Sequence, residues 1–207
     1  TIEGAEYPVH ARVAISDSPD RPVLDGQTPP AHEQVLLDEN VEAGDADFFA
    51  VGASEMSPDG RLLAWSADRE GDERYDLVVR EVDSGAILDA AVRGIGDPLA
   101  WSLDNRHIFY TRLDDSWRSH EIWRHEVGTA VEADELVLAE SDERFFLSVG
   151  ATADDRWIVL SATSKTAAQV WLIDAADPRQ APRSVLPRRD EVIYDVDPLA
   201  DGLLVLH

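Results

Sequence analysis

Three groupings of side chains in this 207-residue sequence have the residue types for chemistry. Asp114, Ser116 and His120 could supply a carboxylate, a nucleophile and a base. A triad is defined by spatial geometry, however, and three such residues crowded on one loop read as a polar loop. His120 and His125 could ligate a metal, but five residues apart beside a strand they do not share a face as i, i+4 histidines on a helix do. Both read as ordinary, partly exposed side chains. The Gly-x-Ser-x-Gly elbow of α/β-hydrolases is absent, because the nearest string, Gly52-Ala53-Ser54-Glu55-Met56, lacks the second glycine and sits in a β pattern. There is no cysteine, no Gly-rich phosphate loop and no Asp-x-Asp-x-Asp-Gly calcium loop. The residues alone therefore assign no catalytic residue, metal or cofactor.

The third grouping is a recurring carboxylate. Met56-Ser57-Pro58-Asp59-Gly60-Arg61 before Leu62-Leu63-Ala64-Trp65 returns as Trp101-Ser102-Leu103-Asp104-Asn105-Arg106 before His107-Ile108-Phe109-Tyr110. It returns again as Ala151-Thr152-Ala153-Asp154-Asp155-Arg156 before Trp157-Ile158-Val159-Leu160, and in degenerate form as Asp201-Gly202 before Leu203. Asp-Gly, Asp-Asn and Asp-Asp tolerate the positive φ that two-residue hairpins need, so turn chemistry is the expected role of these carboxylates.

The elements that position all these side chains follow from the repeat. Asp59, Asp104, Asp154 and Asp201 stand 45, 50 and 47 residues apart, and about 40–50 residues is the length of a four-stranded propeller blade. Further β-rich runs cover 75–82, 121–127 and 169–174, and turn residues at 83–85, 128–129 and 177–178 precede short fourth strands near Ile87, Leu136 and Val185. The predicted fold is all-β, a β-propeller fragment. It has a partial first blade over 1–48 with a Pro/Asp-rich loop at 15–32, full blades over 49–93, 94–140 and 141–187, and the start of another over 188–207. Glu33 to Leu37 reads as an edge strand followed by an acidic turn, 38–47. The continuously apolar strands after each turn are expected to be covered on both faces by neighbouring blades.

A formal net charge of −24 removes the phosphate-neutralising surface that nucleic acid or an anionic membrane would require. No run approaches the roughly 18 apolar residues of a spanning helix. With no cysteine, these features lead to an expectation of a soluble, cytoplasmic chain.

Resemblance adds what composition cannot. Glu6-Tyr7-Pro8-Val9-His10, Glu33-Gln34-Val35-Leu36-Leu37-Asp38-Glu39-Asn40, Ile122-Trp123-Arg124-His125-Glu126-Val127-Gly128-Thr129, Asp142-Glu143-Arg144-Phe145-Phe146 and Leu186-Pro187-Arg188-Arg189 with Tyr194-Asp195 together resemble the amino-terminal propeller of the oligopeptidase B branch of the prolyl oligopeptidase family of serine peptidases. The resemblance implies a seven-bladed propeller covering an α/β-hydrolase domain that cleaves short peptides after Arg or Lys. This chain would supply about four of the seven blades and no hydrolase domain, since it stops at His207 inside a strand, and would be inactive alone. Its partners would be the hydrolase domain of a parent chain and short basic peptides. The alternative is a free-standing acidic propeller scaffold that binds basic protein partners.

The family's domain-facing surface is built from the loops joining the second and third strands and those linking blades. Here these are 68–74, 112–119 and 163–168, with 93–97, 140–144 and 188–191 as linkers. Arg112, Glu143, Arg144, Arg188 and Arg189 are the expected interdomain or substrate-facing residues. Exposed apolar blade ends, near Ala50, Val51, Val205 and Leu206, are expected to pair two copies as a homodimer.

Overall fold

A computed structural model describes residues 6–13, 33–199 and 202–207. The expected loop at 15–32, and Asp201 of the last repeat, lie outside the described residues. The chain forms two compact units, residues 1–50 with 69–71, and residues 51–68 with 72–207.

In the first unit, β1 (Val9–Arg12) pairs antiparallel with β2 (Gln34–Asp38), with a bulge between His10 and Ala11. The strand expected at Glu33 to Leu37 is present one residue further on. The acidic segment after it is partly helical rather than a plain turn, because α1 (Glu39–Ala43) is capped by Asp38, whose carboxylate accepts the Asn40 amide N–H at 3.0 Å. Asn40 Oδ1 in turn accepts the amides of Glu6 and Tyr7, each at 3.0 Å, which ties the amino-terminal strand to the helix.

The second unit holds three four-stranded antiparallel meanders. The first is β3 (Ala50–Met56), β4 (Leu62–Asp68), β5 (Asp76–Glu81) and β6 (Ile87–Asp89). The second is β7 (Ile95–Trp101), β8 (His107–Leu113), β9 (Ser119–Glu126) and β10 (Glu135–Ala139). The third is β11 (Phe146–Ala151), β12 (Trp157–Thr163), β13 (Ala168–Asp174) and β14 (Arg183–Ser184), and a hairpin of β15 (Asp195–Pro198) and β16 (Leu203–Leu206) follows. These are propeller blades, and the described residues are almost all β. The first strands β3, β7 and β11 line one shared groove, so the first strand of each blade is innermost.

The blades are held by apolar seams. Leu77, Val79, Ile95, Leu99, Trp101, Ile108 and Tyr110 pack between the first and second blades. Phe109, Ile122, Phe145, Leu147, Ile158 and Leu160 pack between the second and third. Deleting one such buried aromatic costs about 3–5 kcal/mol. As expected, β4 and β8 are buried on both faces through most of their length. By contrast, β12 alternates buried and half-buried residues, because Val159 meets only the cluster beneath the two-stranded β15–β16 hairpin.

The repeat's turns also depart from the two-residue expectation. In the first, Ser57 N–H bonds Leu62 O at 2.8 Å and Gly60 N–H bonds Ser57 O at 2.8 Å, so residues 58–61 form a four-residue loop built on a type I turn. The left-handed position falls on Gly60 (φ 70), Asn105 (φ 58) and Asp155 (φ 56), which is why the residue after each repeated Asp is Gly, Asn or Asp. Among the described residues no helix is long and apolar enough to cross a membrane.

Candidate functional site

Antiparallel meanders place their connections at two ends, and in the second unit the two ends differ chemically. At the turn end lie the loops of the repeat. Asp59 accepts the Ser57 hydroxyl at 2.7 Å and the Arg61 amide at 3.0 Å. Asp154 accepts the Thr152 hydroxyl at 2.6 Å and the Arg156 amide at 3.2 Å. In both, the hydroxyl contact first, then the amide, holds the carboxyl below the usual carboxylate range. Burial opposes ionisation of Asp104, but bonds from Ser102, the Arg106 amide and His107 (Nδ1 to Oδ2 2.7 Å) outweigh it, and its pKa is also lowered. These carboxylates are turn locks, as their repeat context predicts.

Towards this end His125 corrects the sequence reading. It is fully buried, not partly exposed: Nε2 lies 2.9 Å from Asp89 Oδ2 on the first blade, and Nδ1 lies 2.7 Å from Asp134 Oδ1 on the second. Tyr110 donates its hydroxyl to the other Asp134 oxygen at 2.8 Å. Burial and the negative charge of Asp134 push the Tyr110 phenol far up. The cause of the misreading is register, since β9 is buried on both faces here: Ile122 and Arg124 face the third blade, and His125 lies on the opposite face towards the first. His120 stays part-exposed with Nε2 3.8 Å from Glu121, and Asp114 is committed to the amides of Ser116 and Arg118 and to Arg118 Nε. The three residues do not assemble as a triad.

The other end carries the loops 72–74, 112–119, 140–144 and 163–168, cross-tied by arginines. Arg74 donates to Asp114 O at 3.1 Å and lies over the Trp117 ring at 5.1 Å. Arg118, nearly buried, donates Nη1 to the carbonyls of Glu140, Asp142 and Phe145 at 3.1, 3.3 and 3.2 Å, bolting the second blade to the linker that starts the third.

The expected residues fall in three places. Arg144 and Arg188 come together on Phe145, whose ring lies 5.7 Å and 3.8 Å from their guanidinium carbons. Arg144 is also bonded to Asp142, which that contact lowers to a pKa of about 2, and Arg188 to Glu140. Glu143 and Arg144 share a pocket with the exposed Phe146 and the chain's one lysine, Lys165. Arg112 lies apart, donating to the Tyr110 hydroxyl at 3.2 Å and packed over the Trp123 ring at 4.5 Å. Arg189 lines an apolar pocket with Leu186, Val192 and Tyr194.

A second pocket of this end, of about 370 Å³, went unread in the sequence. Its wall includes Glu73, Tyr75, Asp97, Thr111, Trp117 and Ser148, from all three blades. Burial first, then the negative charges of Asp97, Asp68 and Glu73, push the Tyr75 phenol up. Two glycines make the close packing possible. A Cβ at Gly52 would stand 2.8 Å from the Tyr75 ring, and one at Gly96 would stand 2.3 Å from Thr111 Oγ1. The sequence signal for it is the acidic residues of the domain-facing segments, Glu73 in 68–74 and Asp97 in 93–97. Along the inner groove Glu55 is raised by burial and by nearby Asp155.

Comparison with known proteins places the chain. Residues 1–207 match the family described as prolyl oligopeptidase, N-terminal beta-propeller domain. The sequence is 32% identical to Protease 2 of Moraxella lacunata over 97% of this chain and 28% of that protein. It is 34% identical to dipeptidyl aminopeptidase BI of Pseudoxanthomonas mexicana over 99% of this chain and 29% of that protein. The fold superposes on oligopeptidase B of Trypanosoma brucei, solved in a closed form with covalently bound antipain, with TM-score 0.83 and 27% identity over 98% of this chain and 27% of that one. Oligopeptidase B of Leishmania major gives TM-score 0.85 and 25% identity over 98% and 28% of the two chains. The chain thus spans under a third of the relatives it matches. With its blades, its repeat and its full-length match in agreement, the chain belongs to the amino-terminal β-propeller family of the prolyl oligopeptidases.

Proposed function

We propose that the chain is the substrate-gating propeller of an oligopeptidase B-like serine peptidase that cleaves short peptides after Arg or Lys in the cytoplasm, and that it is inactive alone. The observation that carries this reading is the loop end of the blades, where arginines tie three blades into one layer while Glu73 and Asp97 have no ion pair among the described residues. Such a layer presents a firm, acidic face to a catalytic domain and to cationic peptides. A propeller mouth also excludes bulky substrates and water from the chemistry beneath it. Partners on this reading are the parent's hydrolase domain and short basic peptides.

The test is a chromogenic Arg-ester assay on the purified 207-residue chain beside a parent protein that carries the hydrolase domain. The chain should give no turnover and the parent should cleave after Arg and Lys. Turnover that survives repurification of the chain would overturn the assignment, as would a parent indifferent to Arg and Lys. Substrates with blocked and free amino termini separate this reading from the dipeptide release suggested by the relative named dipeptidyl aminopeptidase BI.

The same proposal includes a homodimer of the chain through its blade ends, supported by Leu204 and Leu206 standing 57% and 71% exposed on β16. Sedimentation equilibrium at low and physiological salt should show a dimer at micromolar concentration, and a monomer throughout would dismiss it.

A further inference from the structure

His125 stands between two carboxylates that are already acceptors. Its side chain and those of Asp89 and Asp134 are all but fully buried. Asp89 Oδ1 accepts the Ala91 amide at 2.9 Å and its Oδ2 accepts the Gly128 amide, so both oxygens of this carboxylate from the first blade take protons from backbone donors. Arg112, which can only donate, fills an acceptor position on the Tyr110 oxygen at 3.2 Å, and this leaves the hydroxyl proton for Asp134 Oδ2 at 2.8 Å. Each ring nitrogen of His125 therefore meets an acceptor, Nδ1 an Asp134 oxygen at 2.7 Å and Nε2 an Asp89 oxygen at 2.9 Å. A neutral imidazole has one N–H and one lone pair, and only the imidazolium donates from both nitrogens. A neutral ring would set its lone pair against a buried carboxylate, which is costly.

The charged and titratable groups that face the ring are Asp89 from β6, Asp134 from the turn before β10 and, behind Asp134, Tyr110 and Arg112 from β8. On β9 itself, Arg124 and Glu126 are turned to the opposite face, where they meet Pro178 and Arg179 of the third blade. Burial alone would raise Asp89, yet the bonds from the Ala91 amide, His125 and the Gly128 amide hold it below the usual carboxylate range, in keeping with an ionised group.

We propose that His125 is held as an imidazolium in the fold, which makes the seam between the first and second blades a pH-sensitive clamp, closed at neutral pH and loosened in alkali. The proton joins two blades, since Asp89 belongs to the first and Asp134 and Tyr110 to the second. An unfolded imidazole titrates near 6.5 and is mostly neutral above that pH. Folding in that range takes up one proton, so stability falls as pH rises. Once the folded ring releases the proton, it can answer only one of its two carboxylates.

The test reads the His125 ring nitrogens of the 207-residue chain by nitrogen-15 nuclear magnetic resonance from about pH 6 to about pH 10, beside urea unfolding over the same range. Both nitrogens should carry protons at about pH 7.5. The folding equilibrium constant should fall by up to about tenfold per pH unit above about pH 7, the slope for one proton. Asp89→Asn offers an amide that donates to Nε2, so a neutral ring satisfies both contacts, and the slope should be shallower by that one proton. A His125 ring with one bare nitrogen at about pH 7.5 would overturn the proposal whether or not the variant folds. Parallel stability curves for the chain and a folded Asp89→Asn variant would overturn it too.

Discussion

The two ends of the blades differ in how completely their acidic residues are satisfied within the fold. At the turn end Asp59, Asp104 and Asp154 each accept a neighbouring hydroxyl and an amide two residues on, and Asp89 and Asp134 clamp His125 between blades. At the loop end Asp114, Glu140 and Asp142 are committed to arginines, while Glu73 and Asp97 have no ion pair among the described residues. Carboxylates that are satisfied internally contribute stability, and those left over at a rigid rim are available to something outside the fold. Net charge alone does not distinguish these roles.

The contrast predicts a ranked set of effects. His125→Ala should be the most damaging, at about 3–5 kcal/mol in urea unfolding, because it leaves Asp89 and Asp134 buried without their partner. Retention of stability there would break the view of the turn end as structural. Arg118→Ala should follow at about 2–4 kcal/mol, since three carbonyls and Asp114 lose a donor. It would show that the loop end also needs its fixed frame.

Acid should act on the turn end. Asp89 and Asp104 have folded-state pKa values below the usual carboxylate value; burial opposes this and the hydrogen bonds outweigh it. Their contribution is therefore present above the unfolded value, about 3.9, and is lost as pH falls through the lower folded value. Asp104→Asn should flatten the acid limb of a stability-versus-pH curve. Asp97→Asn should be the mildest, within about 0.5 kcal/mol of the parent at pH 7.

Much of the frame was legible in the sequence because it is written locally. A blade's strands and turns recur at a fixed spacing, and the residue after each repeated Asp must tolerate a left-handed backbone, so Gly60, Asn105 and Asp155 betray the turns. The clamp at His125 was not legible, because Asp89 comes from another blade and burial depends on the register of β9. The pocket was missed for a similar reason. Glu73, Asp97 and Ser148 are far apart in the chain, and only the stacking of blades brings them to one rim. Among the arginines, sequence position could not separate Arg112, packed on Trp123, from Arg144 and Arg188, which meet on Phe145.

The most direct test of this division compares two charge-matched variants of the chain. Glu73→Gln with Asp97→Asn removes two negative charges at the loop end, and Asp59→Asn with Asp154→Asn removes two at the turn end, so the long-range field changes equally. Affinity for a blocked arginyl-arginine amide should fall by about tenfold in the first and hold in the second. Equal losses in the two, or a larger loss at the turn end, would contradict the account by showing that the peptide responds to the overall field and not to this face.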